Sequence, residues 1–301
     1  MSEWTPRRSV LTSVGEGSML EEPLLPVQPL VPLPVQRWEN RPGYVVFGLL
    51  LLTPVALAAM FPGMIAPHDP FANVGPALTS PGLRHPFGTD DLGRDIFSGV
   101  VWGARTSLLI GGGSALISIM IGILIGVIAG YTGGWRDDVL MRATEFVMLL
   151  PRFFVALLVV TLFGASLINI CLVLGLSGWP GLARIARAEA LAQRSREHVL
   201  ASVALGASSW QIMFRHILPA VQQLILSVAA PVVTVAILSE AGLAYLGLGD
   251  PNWISWGKMI QNGQIFYNHG WWFSMFPGAA IMATCVGLAL LIDGLEARQP
   301  A

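Results

Sequence analysis

Six stretches of roughly 20 mostly apolar residues dominate this chain, and each is long enough to cross the hydrocarbon core of a bilayer as a helix. They lie at 44–61, 108–129, 143–163, 167–182, 220–242 and 272–292. Glu145 and Arg152 fall inside the third. The fourth is short and carries Gly175, Gly178 and Pro180, so it reads as the broken one. Only 12% of residues are charged, against 54% hydrophobic, where a soluble domain carries about 25% charged residues. The reading is therefore an all-α integral membrane protein, a bundle of six transmembrane helices.

Arginine placement orients the bundle. With both termini in the cytoplasm, 12 basic residues fall in inner segments and 4 in outer ones, as the positive-inside rule requires. The fourth span is needed for this, because without it Arg184, Arg187, Arg194, Arg196 and Arg215 would lie outside. The same topology gathers Trp253, Trp256, Trp271 and Trp272 at the outer interface, as an aromatic belt does. Residues 1–42 hold seven prolines among scattered charges and read as a disordered cytoplasmic tail, not a signal peptide. The remaining divisions are 43–106, the first span and an extracytoplasmic segment; 107–295, the transmembrane core; and 296–301, a cytoplasmic end.

Several chemistries find no sequence support. There is no Gly-x-x-x-x-Gly-Lys-Ser/Thr phosphate loop, since the one Gly-Lys pair, Gly257-Lys258, is followed by Met259. His68, His85, His198, His216 and His269 show no metal-ligand spacing, and His68 and His85 read as lone, solvated loop residues. Cys171 and Cys285 lie in apolar runs and read as packing residues. The net charge of −1 points to no nucleic-acid partner. The chain is expected to carry no cofactor, metal or catalytic residue of its own.

Charges near the spans suggest local pairing. Asp138 and Arg142 are four apart on a helix, and Arg142 and Glu145 three apart, so they are expected to pair as the chain enters the membrane. Glu240 lies 21 residues beyond Pro219, about 31 Å at 1.5 Å per residue, near the outer interface. It is a possible outer-gate, packing or substrate-path residue. The same arithmetic puts Asp293 at the inner surface. Outside, 91–104 reads as an amphipathic segment lying on the membrane or packed against the bundle, with Leu92, Ile96, Phe97, Val100, Val101 and Ala104 on one face.

The loop 181–222 is long, basic and helical in pattern. Val199, Val203, Ile212, Met213, Ile217 and Leu218 recur at near-helical spacing, interrupted at Gly206. Ser208 or Ser209 suits an N-cap. Two short helices are expected to meet at Gly206, with Pro219 ending the second before the fifth span. Their apolar face must cover lipid headgroups, another part of the chain or a partner protein.

At this loop the sequence resembles the ABC importer permeases. Ala201-Ser202-Val203-Ala204-Leu205-Gly206-Ala207, followed by His216-Ile217-Leu218-Pro219, is similar to their signature loop, with Gly206 and Pro219 at the family's spacing. The general motif opens Glu-Ala-Ala, where this chain has Leu200-Ala201-Ser202. Three further stretches resemble the dipeptide, oligopeptide and nickel importer branch: 87–95 continuing to Gly103, Arg105 and Ser107; 130–137 with Met141-Arg142; and 240–249 followed by Ser255-Trp256-Gly257, Trp271-Trp272, Phe276-Pro277-Gly278 and Asp293-Gly294-Leu295. The likeness fits the C-type member of a permease pair. It implies a type I importer fold whose coupling loop holds Ala201, Ser202, Gly206, Ala207, His216, Ile217, Leu218 and Pro219. It also implies a homologous second permease, two ATP-binding subunits carrying ATP and Mg, an extracytoplasmic substrate-binding protein and a site in the bacterial cytoplasmic membrane. Peptide is the implied solute. Nickel, glutathione or another small solute is the alternative within the branch, and a secondary transporter the alternative outside it.

Overall fold

The computed structural model describes residues 42–296. The proline-rich stretch 1–41 and the end 297–301, both read above as cytoplasmic, lie outside the described residues. Among the described residues all extended structure is confined to two isolated bridges, Asn73 with Arg94 and Thr89 with Asp95. Eleven α-helices follow in order: α1 Pro42–Met60, α2 Pro62–Ile65, α3 Ile96–Thr132, α4 Gly134–Leu149, α5 Arg152–Phe163, α6 Leu167–Arg194, α7 Glu197–Ala204, α8 Ser209–Ile212, α9 Leu218–Leu243, α10 Trp256–Gly263 and α11 Trp272–Glu296.

Five helices are long and apolar enough to span a membrane, and α4 with α5 makes a sixth if the bent pair counts as one. The third and fourth spans exchange the roles expected of them. The third is the broken one: α4 and α5 meet at 76°. Leu150, held extended at ψ 122° by the proline after it, and Pro151 form the break. The fourth, α6, runs unbroken for 28 residues through Pro180. Proline forfeits one backbone bond, and close packing on α3 holds the helix across it.

That packing is made by small residues. Gly122, Gly126 and Gly130 recur every fourth position on α3, so they share one face. A Cβ at Gly126 would stand 2.5 Å from the Ala183 carbonyl oxygen and from Ala186 Cβ; at Gly130, 2.6 Å from the Arg187 carbonyl; at Gly122, 2.6 Å from Leu182 Cβ. With no hydrophobic drive between helices in lipid, such close backbone approach is what holds them together. A second seam joins α1 to α11, where a Cβ at Gly48 would meet the Leu291 nitrogen at 2.8 Å. The outward faces stay apolar: only 17% of the α1 span and 22% of the α11 span are buried inside the chain, so lipid or another subunit covers the rest.

Helix α3 is 37 residues long, about 56 Å, and so outreaches a bilayer core. It absorbs most of the amphipathic segment 91–104, which packs into the bundle. Asp95 caps it by accepting from the Ser98 N–H, and no breaker follows before Gly133. Ile96, Val101 and Ala104 are buried, while Leu92 is half exposed. The tryptophans divide likewise. Trp253 and Trp271 are exposed, but Trp256 and Trp272 are core residues. Their indole N–H groups donate to the carbonyls of Val100 (2.9 Å) and Thr89 (3.3 Å), tying α10 to α3 and α11 to the segment before α3.

Candidate functional site

The two short helices expected around Gly206 are α7 and α8. Gly206 sits between them at φ +83°, a conformation that glycine adopts without steric cost. Its N–H donates to the Val203 carbonyl and that of Ala207 to the Ser202 carbonyl, so α7 closes in a Schellman motif. Ser208 then caps α8, its hydroxyl accepting from the Gln211 N–H at 3.3 Å.

From Ser209 the chain does not stop at Pro219. The π-turn Met213–Ile217 joins α8 to α9 without a break, the Leu218 N–H reaching back to the Met213 carbonyl. Pro219 lies two residues past the π-turn, inside this continuous helix. It therefore does not end a helix, contrary to the sequence expectation.

The loop has two faces. Val199, Ile212, Met213 and Ile217 are buried against Val127 of α3, Leu182, Ala186 and Ala190 of α6, and Val221 and Ile225 of α9. On the other face Leu200, Val203, Trp210 and Phe214 are more than half exposed and Leu205 is 89% exposed. Trp210 and Phe214 stack with centroids 5.6 Å apart. No atom stands within 4 Å of a Cβ placed on Gly206, so its surroundings within the chain are open. Self-packing accounts for the first face and leaves the second uncovered.

The other expected residues distribute around this arrangement. Ser202 and His216 come together, hydroxyl to Nε2 at 3.4 Å. Ile217 is buried, Leu218 and Ala207 half-buried, and Ala201 and Pro219 exposed. Glu240 lies far along α9, 1% exposed, and accepts from the Ser107 hydroxyl at 3.4 Å. It faces α3 and packs inside the bundle.

Three placements were not legible from spacing. Asp138, Arg142 and Glu145 do not pair with one another among the described residues. The ion pair joins Asp137 of α4 to Arg187 of α6, with Nε to Oδ1 and Nη2 to Oδ2 both at 2.6 Å. Arg152, at the start of α5, lines two grooves of about 450 and 380 Å³ together with Ser177, and its guanidinium lies 2.7 Å from a Cβ placed on Gly178. It brings a positive charge to the helix start at which the α4–α5 span breaks. At the opposite end of the bundle from α7, His68, His85 and Asp95 converge, each offering a donor atom within 4.8 Å of the others. The sequence reading had left the two histidines apart. Nearby, Lys258 donates to the carbonyls of Asp250, Pro251 and Trp253, and burial pushes its ammonium below the usual lysine range. Burial likewise pushes the Asp90 carboxyl up.

Residues 122–299 match the family model described as binding-protein-dependent transport system inner membrane component. The chain belongs to this family. The match spans most of the bundle and the whole α7–α8 loop. Its type I importer permease fold, with up to six membrane-crossing helices, makes the chain a multi-pass inner-membrane permease component and not an enzyme. The oligopeptide transport system permease protein OppC of Bacillus subtilis is 36% identical over 83% of this chain and 82% of its own length. The dipeptide transport system permease protein DppC of the same species is 37% identical over 83% and 79%. The probable D,D-dipeptide transport system permease protein DdpC of Escherichia coli is 35% identical over 83% and 85%.

Proposed function

We propose that this permease is one transmembrane subunit of an ATP-driven importer for peptides, coupled to its energy source through the α7–α8 loop. The single observation that carries the coupling is the loop's uncovered face: Leu205 almost fully exposed beside Gly206 in its left-handed turn. An apolar ridge on a rigid, capped turn suits insertion into a cleft of a partner protein. The peptide solute is supported by the relatives, whose names specify oligopeptide, dipeptide and D,D-dipeptide transport.

In this reading a homologous permease covers part of the outward apolar surface. Two ATP-binding subunits, which hold ATP and Mg, receive the loops, and an extracytoplasmic binding protein delivers the peptide. This chain contributes no cofactor chemistry. Both termini and the α7–α8 loop face the cytoplasm, with Arg184, Arg194, Arg196 and Arg215 on the inner side. Closure of the ATPase pair would push on α7 and α8. Because α8 runs into α9 without a break, the push is carried along the span toward Glu240.

The test is Gly206→Leu in the assembled transporter. A branched side chain is strained at positive φ, yet the spans are untouched. The expected result is normal membrane abundance with transport lost, the ATPase detaching or hydrolysing without transport. Normal peptide uptake at normal abundance would overturn the assignment of this loop as the coupling element.

A further inference from the structure

At the end of the bundle opposite the α7–α8 loop, the chain between α2 and α3 returns twice to the N-terminus of α3. His68 arrives first, its backbone N–H donating to the Ser98 hydroxyl at 3.3 Å. His85 arrives second, its backbone carbonyl fixed by the N–H groups of Gly82 and Gly88. The two imidazoles lie side by side, centroids 5.8 Å apart, and both turn Nδ1 toward Asp95.

Distances from the carboxylate are 3.0 Å from Oδ1 to His85 Nδ1 and 3.9 Å from Oδ2 to His68 Nδ1. Asp95 itself is fully buried, the His85 side chain nearly so and that of His68 one-third exposed. The second carboxylate oxygen is oriented by Ser98, accepting from its N–H at 2.9 Å and its hydroxyl at 2.7 Å.

A hydrogen bond between His85 and Asp95 explains half of this cluster. It does not explain His68, whose Nδ1 is buried with no hydrogen-bond partner. An unpartnered buried nitrogen is costly. It would be satisfied by an ion held between the three side chains. A tetrahedral ion about 2.1 Å from each ligand sets donor atoms about 3.4 Å apart; the three donor atoms here lie within 4.8 Å of one another, with His85 Nδ1 3.0 Å from Oδ1 and His68 Nδ1 3.9 Å from the other oxygen, Oδ2, so a small inward shift of the side chains brings them onto one ion.

We propose that His68, His85 and Asp95 form a binding site for one divalent transition-metal ion of zinc's class, pinning the loop between α2 and α3 to the start of α3. Two imidazoles and one carboxylate select a borderline cation over magnesium or calcium, which prefer all-oxygen shells. The ion takes Nδ1 of both rings, so each carries its proton on Nε2. It replaces the His85–Asp95 hydrogen bond, and Ser98 supplies the outer hydrogen bonds that keep the carboxylate oriented. A water molecule supplies the fourth ligand. The site needs no assumption about orientation; under the function proposed above it lies on the outer side, where solutes are delivered.

The full chain, purified in detergent and stripped with a chelator, is titrated with Zn²⁺ against a chromophoric zinc indicator. The expected result is one Zn²⁺ per chain, with affinity falling by about tenfold or more in His68→Ala and His85→Ala. Asp95→Asn guards against a folding artefact, because asparagine still caps α3 but is a poor zinc ligand. It should lose the ion while keeping the metal-free thermal midpoint of the parent. Zn²⁺ should also raise the thermal midpoint of the parent and leave that of Asp95→Asn unchanged. Absence of stoichiometric Zn²⁺ binding by the parent would overturn the proposal. So would parent-like binding by the double His68→Ala, His85→Ala chain, or by Asp95→Asn.

Discussion

Helix α6 and the α7–α8 loop both pack on one apolar cluster, yet they finish their surfaces in opposite ways. Along α3 and α6 the contact is closed to the last ångström. Glycine meets backbone along the seam, and the apolar side chains that stay exposed on α6, such as Ile168 and Leu176, lie off it. On the loop the inward residues Val199, Ile212, Met213 and Ile217 are buried just as completely, while Leu205, Trp210 and Phe214 stand uncovered a few residues away. The first contact is finished within the chain. The second is half an interface. A membrane protein has little to gain from apolar contact between helices in lipid, so the seam depends on shape. In the function proposed above the loop faces water, where uncovered apolar side chains are unfavourable and mark a place for another protein.

The largest expected effect breaks the seam. Gly126→Leu places a side chain where the Ala183 carbonyl and Ala186 Cβ already stand at 2.5 Å from the first added atom. Backbone lies on the far side, so relief requires moving a helix. The loss should exceed the about 1–3 kcal/mol typical of overpacking, seen as failure to recover folded chain from the membrane. Gly112→Leu on the same helix, with no atom within 4 Å of its Cβ position, should be recovered at parental yield.

A smaller effect is expected at the edge of the same seam, where Arg187 and Asp137 join α6 to α4. Asp137→Ala should cost about 1–2 kcal/mol, moderated because a third of the Arg187 side chain remains exposed. A lower thermal midpoint in detergent would register it. Asp137→Arg combined with Arg187→Asp should recover part of the loss, since a double-mutant comparison isolates the pair.

The smallest effect on the chain itself is expected from Leu205→Ala, within about 0.5 kcal/mol of the parent because the side chain touches little of its own protein. Its effect on assembly should be much larger: co-purification of ATP-binding subunits should fall several-fold. A lowered thermal midpoint of the isolated chain with undiminished co-purification would invert the comparison, making the loop an internal packing element.

Hydropathy alone located the apolar segments, because bilayer thickness dictates their length. Fine structure within the spans was less legible. Pro151 and Pro180 look alike in sequence, but one breaks its span and the other does not, since only α6 is held straight by glycines 50 residues or more away on α3. Local spacing also suggested Asp138 with Arg142, while the partner chosen is Arg187, from another helix and with Asp137. The meeting of two short helices at Gly206 was legible because its cause is local. The convergence of His68 and His85 on Asp95 was not, because two loop returns bring them together. The outward face of the loop was half visible: of the periodic residues Val199, Ile212, Met213 and Ile217 proved to be anchors and Val203 lies on the exposed face, while exposed Leu205 and Trp210 fell outside that pattern.

The π-turn at Met213–Ile217 makes the chain's tolerance of insertion and deletion uneven. A π-turn is an α-helix carrying one residue too many, bulged so that both flanks keep their seats. Removing Phe214 or Arg215, both exposed, would let the segment relax into regular helix, with α8 and α9 seated as before. The same single deletion between Val232 and Ala236 has no slack to consume. It would rotate the rest of α9 by about 100° and carry Glu240 away from Ser107. A one-residue deletion at this turn should therefore leave the chain folded, where the same deletion in the middle of α9 should not.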